Sequence, residues 1–412
     1  MDIDVDLIRR DLAQLVSYDS VGGSQAEAGV QRWAAATLQG LGLDVDLWPL
    51  DLETLRADPE YPGEEVDREE AWGCVGTWRP GGGAGPWAAE ESATPALILN
   101  GHLDVVPSGE PEWWTGHDPF FLHEADGRWY GRGVCDMKGG VVAILAAVRA
   151  VGEQLTRPFA VHTVIGEEDG GIGTFATLRR GHTGEACLIA EPTDGRIVAA
   201  NAGSLTFRLE IRGRSTHGSM AGRGLSALDL FERVHAALRA LDERRNVSPP
   251  APFGPRPWPI SVGIVRAGDW ASTVPDLLVA EGRYGVMPGE SFDEATAIFE
   301  RALAEIDESW LREHPVEVSW PGGRFAAGAL PTGHAFGEQV AEAVMSTGAD
   351  RPELVGAPYG SDLRQYAAMG IPTLQFGPGH IEQAHAVDEY VPIDEVVASA
   401  RAYAALLLDR CG

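Results

Sequence analysis

Residues 96–107 read Ala-Leu-Ile-Leu-Asn-Gly-His-Leu-Asp-Val-Val-Pro. An apolar run of strand length closes on two polar residues, His102 and Asp104. Side chains alternate faces along a strand, so positions two apart point the same way. His102 and Asp104 therefore stand side by side. That suits a histidine that binds a metal through one ring nitrogen while a carboxylate fixes the other. It equally suits a hydrogen-bonded His–Asp pair at an ordinary strand end. The pattern recurs along the chain. Pro158 to Ile165 reads as a buried strand and runs into Gly166-Glu167-Glu168-Asp169-Gly170-Gly171. Ala186 to Ala190 is followed by Glu191-Pro192-Thr193, and Thr373 to Phe376 is followed by Gly377-Pro378-Gly379 and then His385. Apolar strands alternating with helical stretches predict an α/β fold, and open α/β sheets build their sites at the C-terminal ends of strands.

Three successive carboxylates repel one another unless something positive sits among them. Asp136 lies just before an apolar helix, Val141 to Val151, where a carboxylate reads as an N-cap or as a ligand. Imidazole and carboxylate donors without cysteine suit zinc or a similar divalent first-row metal. The four cysteines, Cys74, Cys135, Cys187 and Cys411, show no paired spacing, which argues against a disulfide framework or a cysteine zinc site. Five oxygen and nitrogen ligands with one carboxylate bridging make two metal sites a few ångströms apart. Lys138, the only lysine, falls in the same stretch as Asp136.

A chain of 412 residues exceeds the usual size of one domain, so two are expected. Helices are predicted over 5–17 and 25–40, with a strand at 44–48. Residues 51–95, rich in Glu, Gly and Pro, read as a long surface excursion, with Gly81-Gly82-Gly83 a low-complexity patch. Residues 112–133 read as a loop with aromatic anchors. From 203 to 320 the character changes. Leu205, Phe207, Leu209 and Ile211 alternate with Thr206, Arg208, Glu210 and Arg212. A helix at about 225–243 follows, then strands at about 259–266 and 276–287, a helix at 291–312 and a strand at 315–320. The order β-α-β-β-α-β is ferredoxin-like. It reads as a lid or dimerisation domain inserted into a catalytic domain made of 1–202 and 321–412, which resumes with a helix at about 333–347 and closes with one at 393–409.

A net charge of −29 disfavours nucleic acid and anionic membrane surfaces as partners. No run of about 18 apolar residues exists, so no membrane span is expected. The start, Met1-Asp2-Ile3-Asp4-Val5-Asp6, lacks the basic-then-apolar order of a signal peptide, so a cytoplasmic protein is expected.

Six motifs, in order, are Gly101-His102-Leu103-Asp104, the stretch Gly131 to Gly140 around Asp136, Glu167-Glu168-Asp169-Gly170-Gly171, Glu191-Pro192-Thr193, Ser215-Thr216-His217-Gly218-Ser219 and His385 to Tyr390. Together they resemble the acetylornithine deacetylase, succinyl-diaminopimelate desuccinylase, aminoacylase and glutamate carboxypeptidase family of co-catalytic zinc hydrolases. The resemblance implies a zinc-exopeptidase-like mixed-sheet domain and two Zn2+ per subunit, with Co2+ able to substitute. It implies that His102 and Glu191 hold one metal, Glu168 and His385 the other, and that Asp136 bridges them. Asp104 is expected to orient His102, and Glu167 to act as general base on a water whose pKa two cations lower from about 15.7 toward roughly 7. A cis peptide is expected after Asp136. His217 is expected to reach the site of the partner subunit in a homodimer and to serve as an oxyanion donor. Arg283 and Arg364 match positions that hold a substrate carboxylate, and each reads equally as a structural ion pair. His380, His123 and His117 are rivals of His385, which the following Asp-Glu-Tyr favours. Ser272-Thr273-Val274-Pro275 departs from the family's frequent Asn-Val-Val-Pro and weakens the desuccinylase reading. The implied reaction is hydrolysis of an N-acyl amino acid, with an acetylornithine-like substrate leading. A dipeptidase or carboxypeptidase on the same site, and an inactive metal-binding scaffold, are the alternatives.

Overall fold

In the computed structural model, which describes residues 2–81, 94–151 and 154–412, the chain forms two units. One comprises Met1–Ala199, Ala329–Val355 and Ser361–Gly412, the other Ala200–Gly328 and Gly356–Gly360. The second unit is thus longer than the 203–320 span read from the sequence and takes back a short piece near its end. Gly82 and Gly83 lie outside the described residues.

The first unit is built on a mixed sheet in the order Asp44–Pro49, Trp72–Trp78, Phe159–Val164, Leu97–His102, Cys187–Ile189, Thr373–Gln375 and Ile197–Asn201. Its centre is parallel: Leu97–His102 runs parallel to Phe159–Val164 and to Cys187–Ile189, and Thr373–Gln375 parallel to Cys187–Ile189. Every residue of Leu97–His102 and of Phe159–Val164 is buried, as expected of parallel strands covered on both faces. Parallel pairing brings strand ends together, and the register decides which residues meet. His102 is level with Val164, and Asn100 with Ile189. Glu191 is therefore carried level with His102, and Glu167 and Glu168 emerge just beyond it.

Trp72–Trp78 corrects the reading of 51–95 as a surface excursion. It pairs antiparallel with both Asp44–Pro49 and Phe159–Val164 and is largely buried. Gly73 is needed there because a Cβ would collide with the indole of Trp48. The 112–133 loop also contains two short strands, His123–Ala125 and Arg128–Tyr130, paired with each other, and the second pairs with Tyr390–Pro392 as well.

Helices Val5–Val16, Gln25–Gly40, Gly139–Val151 and Ile393–Cys411 bury apolar faces in the core of this unit. Gly139–Val151 starts tight against the Glu191 strand, since a Cβ on Gly140 would strike the carbonyl of Ala190. The four cysteines are free and buried. Among the described residues, no helix is long and apolar enough to cross a membrane.

The second unit has an antiparallel sheet in the order Ile260–Ala267, Leu277–Val286, Gly203–Arg212, Glu317–Ser319. Its helices Ala227–Arg245 and Phe292–Ala304 pack a core of Phe207, Leu209, Val234, Tyr284 and Phe299. In chain order this is βαββαβ, the ferredoxin-like arrangement. The single helix expected over 291–312 is two, Phe292–Ala304 and Ser309–Glu313. Ser291 and Glu294 form a capping box at the first, and the Glu308 side chain caps Trp310 at the start of the second.

Candidate metal centre

Asp136 is the meeting point. It follows Gly133, whose φ of 82° turns the chain, and has extended dihedrals of its own before the helix begins at Gly139. The Asp136–Met137 peptide is cis. The carboxylate faces two imidazoles. His102 Nε2 lies 3.0 Å from Oδ1, and His385 Nε2 lies 3.5 Å from Oδ2. Glu191 Oε1 is 3.9 Å from the same His102 nitrogen, and Glu168 Oε2 is 3.0 Å from the same His385 nitrogen. Two groups result, His102–Asp136–Glu191 and Asp136–Glu168–His385, in each of which the ligand atoms lie within 4.8 Å of one another.

The donor chemistry fits a cation in each group. His102 Nδ1 lies 3.0 Å from the carbonyl oxygen of Asp104, so that nitrogen carries the ring proton. Nε2 then turns a lone pair toward two carboxylate oxygens, an arrangement that needs a cation or a second proton between them. The pKa shifts carry the same information. Burial pushes Glu167 and Glu191 well above the carboxylate range, helped in Glu167 by Asp362 and in Glu191 by Asp136. Glu168 is pushed to about 7, by burial first and by Asp136 next. Burial also opposes the charge of Asp136, but hydrogen bonds with His102 and His385 outweigh it and hold its pKa well down. His385 is raised to about 11 by its hydrogen bonds to Asp136 and Glu168. Buried carboxylates crowded on two rings in this way are short of positive charge, which divalent cations supply. The first group is buried throughout, whereas the second meets solvent at the His385 side chain, which is 52% exposed.

Asp104 stands beside the Nδ1 edge of the His102 ring. Its backbone carbonyl fixes the His102 ring, its carboxylate Oδ1 standing 3.6 Å from Nδ1. Oδ2 accepts the Glu168 amide at 3.2 Å and so ties the His102 strand to the Glu167–Glu168 loop. Glu167 is 8% exposed and belongs to neither ligand group. His217 lies in the second unit, exposed, with Nδ1 2.8 Å from Ser219 Oγ. Arg283, also in the second unit, donates to the Pro358 carbonyl at 2.9 Å. Arg364 is buried and donates to the carbonyls of Ser361 and Gly170 at 2.7 and 2.6 Å. Of the rival histidines, His380 pairs with Asp194, while His117 and His123 stack on each other. Lys138 is buried and donates to the Tyr18 carbonyl, and burial pulls its pKa down to about 7.

Two groups of side chains escaped the sequence reading. Glu389 accepts from Arg132 Nη1 at 2.6 Å, from the amides of Gly133 and Cys135 at 3.0 and 2.8 Å, and from the Asp136 amide at 3.1 Å. It sits four residues after His385 and clamps the Asp136 loop to the His385 segment. Glu389→Gln puts an amide group against some of these N–H donors and leaves Arg132 buried without its counter-ion. Removing one partner of a buried pair costs about 3–5 kcal/mol, so denaturant unfolding is expected to show a loss of that order. A loss under about 1 kcal/mol, the scale of an exposed pair, would sink the clamp. The second group is the positive charge that Glu167-Glu168-Asp169 requires. It is Arg68, from the stretch read as surface, bonded to Asp169 and Glu27.

A profile described as Peptidase family M20/M25/M40 matches residues 98–409. N-formyl-4-amino-5-aminomethyl-2-methylpyrimidine deformylase of Bacillus subtilis (strain 168) is 27% identical, over 96% of this chain and 91% of its own. Acetylornithine deacetylase of Edwardsiella ictaluri (strain 93-146) is 30% identical, over 73% of this chain and 76% of its own. Among solved structures, an M20 family metallo-carboxypeptidase from Sulfolobus solfataricus matches with a TM-score of 0.73 at 13% identity, covering 99% of each chain.

Proposed function

Because the chain belongs to peptidase family M20/M25/M40, and is thereby a metallo-hydrolase of amide or peptide bonds, we propose that it removes the acyl group from a small N-acylated amine, with an N-acyl amino acid as the leading substrate. The observation that carries this reading is one carboxylate, Asp136, turned toward two imidazoles, each backed by a glutamate. His102 and Glu191 would hold one divalent cation, zinc by the nature of the donors, and Glu168 and His385 the other, with Asp136 shared between them. Bound there, the pair supplies Lewis acidity and draws the pKa of water toward roughly 7.

The chain's own groups do the rest. Asp104 holds the His102 ring by its carbonyl, which keeps Nε2 free for ligation. Glu167 stands beside the ligands without being one of them. It takes the proton of the attacking water and later passes it to the departing amine. In the metal-free chain its burial and its neighbour Asp362 push its pKa well above the carboxylate range, and two cations beside it would draw it back down.

Deformylation of an N-formyl amine that lacks a carboxylate is a second reading. Two observations favour it. The guanidinium groups of Arg364 and Arg283 are engaged on backbone carbonyls, and the deformylase relative covers nearly the whole chain. A panel with added zinc or cobalt separates the readings: N-acetyl-L-ornithine, N-formyl-4-amino-5-aminomethyl-2-methylpyrimidine and L-alanyl-L-alanine, scored by release of free amine. Release from N-acetyl-L-ornithine is the expected result. Cleavage of the formyl substrate alone moves the assignment to deformylation, and cleavage of the dipeptide alone moves it to a peptidase. No amine from any of them, with two cations bound, supports a binding role.

A further inference from the structure

Glu167 and Glu168 sit on a six-residue loop, Gly166 to Gly171, whose shape fixes where the base and one ligand stand. One side of that loop is held by Arg364 on the Gly170 carbonyl and by Gln365 on the Gly171 carbonyl, the latter at 2.8 Å. The other side is held through Asp169, next to the Glu168 amide that Asp104 Oδ2 accepts at 3.2 Å. Asp169 receives both terminal nitrogens of Arg68, at 2.7 and 2.8 Å, and the amides of Glu65 and Val66, each at 3.2 Å. The same guanidinium turns its remaining edge to Glu27, with Nε to Oε2 at 3.0 Å and Nη2 to Oε1 at 2.9 Å. Its side chain is 0% exposed, as is that of Glu27. Glu27 lies in the helix Gln25–Gly40 and also caps the Gly23 amide. Arg68 and Glu27 both lie outside residues 98–409, the stretch that carries the family match.

A planar guanidinium gripping two carboxylates by two forks is a rigid joint, which an ammonium cannot reproduce. We propose that Arg68, anchored by Glu27, is the positioning residue for the Glu167–Glu168 loop, so that the second cation site and the placement of the base depend on a joint made by the N-terminal part of the chain. The inference rests on the dinuclear reading above. It predicts a selective effect: the group that uses Glu168 weakens, while His102–Asp136–Glu191, built on other strands, does not.

Cobalt(II) titration of the full chain tests it, followed by equilibrium dialysis and by the visible absorption of the bound ion, with Glu168→Gln as reference. The wild type is expected to bind two ions. Arg68→Lys keeps the charge and loses the forks. It is expected to bind one ion with wild-type affinity and the second roughly 10-fold more weakly, the lower end of the loss when a partner bonded directly to a ligand is removed, since Arg68 acts through Asp169. It should also have a lower kcat at nearly unchanged KM on whichever substrate of the panel the wild type cleaves. Should Arg68→Lys fail to fold, the triple variant Glu27→Gln/Arg68→Met/Asp169→Asn removes the three charges of the joint together, leaving Glu64 paired with Arg56, and is expected to show the same selective weakening. Two ions bound with wild-type affinity by either folded variant would overturn the proposal, as would loss of folding in both, which would make the triad a requirement of the unit's stability alone. A wild type that binds fewer than two ions overturns the dinuclear reading itself, and this inference with it.

Discussion

Glu167→Gln is expected to cut kcat by about 10²–10⁴-fold, the usual worth of a general base, while both cations stay bound and KM barely moves. Glutamine has the size of glutamate and keeps an oxygen in the same place, but it cannot take a proton from water at neutral pH. The side chain is outside both ligand groups, so metal content should be that of the wild type. Stability should not fall. Glu167 is a buried carboxyl crowded by Asp362, Glu168 and Asp136, and a neutral amide removes that repulsion. The melting temperature of the metal-free variant is therefore expected to equal or exceed that of metal-free wild type. Steady-state kinetics on the substrate found by the panel, metal analysis and a thermal melt decide the matter together. A metal-loaded Glu167→Gln protein that turns over normally would remove Glu167 from the reaction. A protein that has lost its metals would instead make Glu167 a ligand.

The strand-end residues could be read from sequence because two local rules, alternation along a strand and the placement of sites beyond parallel strand ends, act over a few residues each. His102, Glu168 and Glu191 follow apolar runs that had to be buried strands. The pairing register then brings them level, which no single run reveals. Asp136 was ambiguous for a physical reason. A carboxylate before a helix has cap geometry available, and only the meeting with imidazoles from residues 102 and 385 shows what its oxygens face. Electrostatics demanded a cation among three successive carboxylates but could not say which one. Arg68 is 101 residues from Asp169 in the chain, inside a polar stretch where burial leaves no periodic trace. Trp72–Trp78 was hidden because Gly73 and Gly76 replace the apolar side chains that would have shown the alternation, and the space is filled from the neighbouring elements by Trp48 and Leu38. Arg364 shows the opposite difficulty. Its residue type suits a substrate carboxylate, yet the buried carbonyls of Ser361 and Gly170 satisfy it within the unit.

Asp136→Asn is the sharper probe of the metal centre, since sharing makes the effect of one residue larger than that of any unshared ligand. If Asp136 gives Oδ1 to the His102 side and Oδ2 to the His385 side, then His385→Ala and Glu191→Ala should each weaken one cation and leave the other. Asp136→Asn should weaken both at once. Asparagine retains a single carbonyl oxygen, so whichever side that oxygen takes, the other side meets an NH2 group that cannot bind a cation. It also loses the charge that balances two dications across one bridge. Affinity at both sites is expected to drop by more than the roughly 10–100-fold that an outer-shell partner is worth, and turnover should vanish with it. Folding should survive in outline, because the loop backbone stays clamped by Glu389 through the amides of Gly133, Cys135 and residue 136. Metal stoichiometry measured side by side on the three variants separates the alternatives. Two tightly held cations in Asp136→Asn would mean the carboxylate bridges nothing. One tight cation would place Asp136 on a single side, as a ligand of one cation and not a bridge.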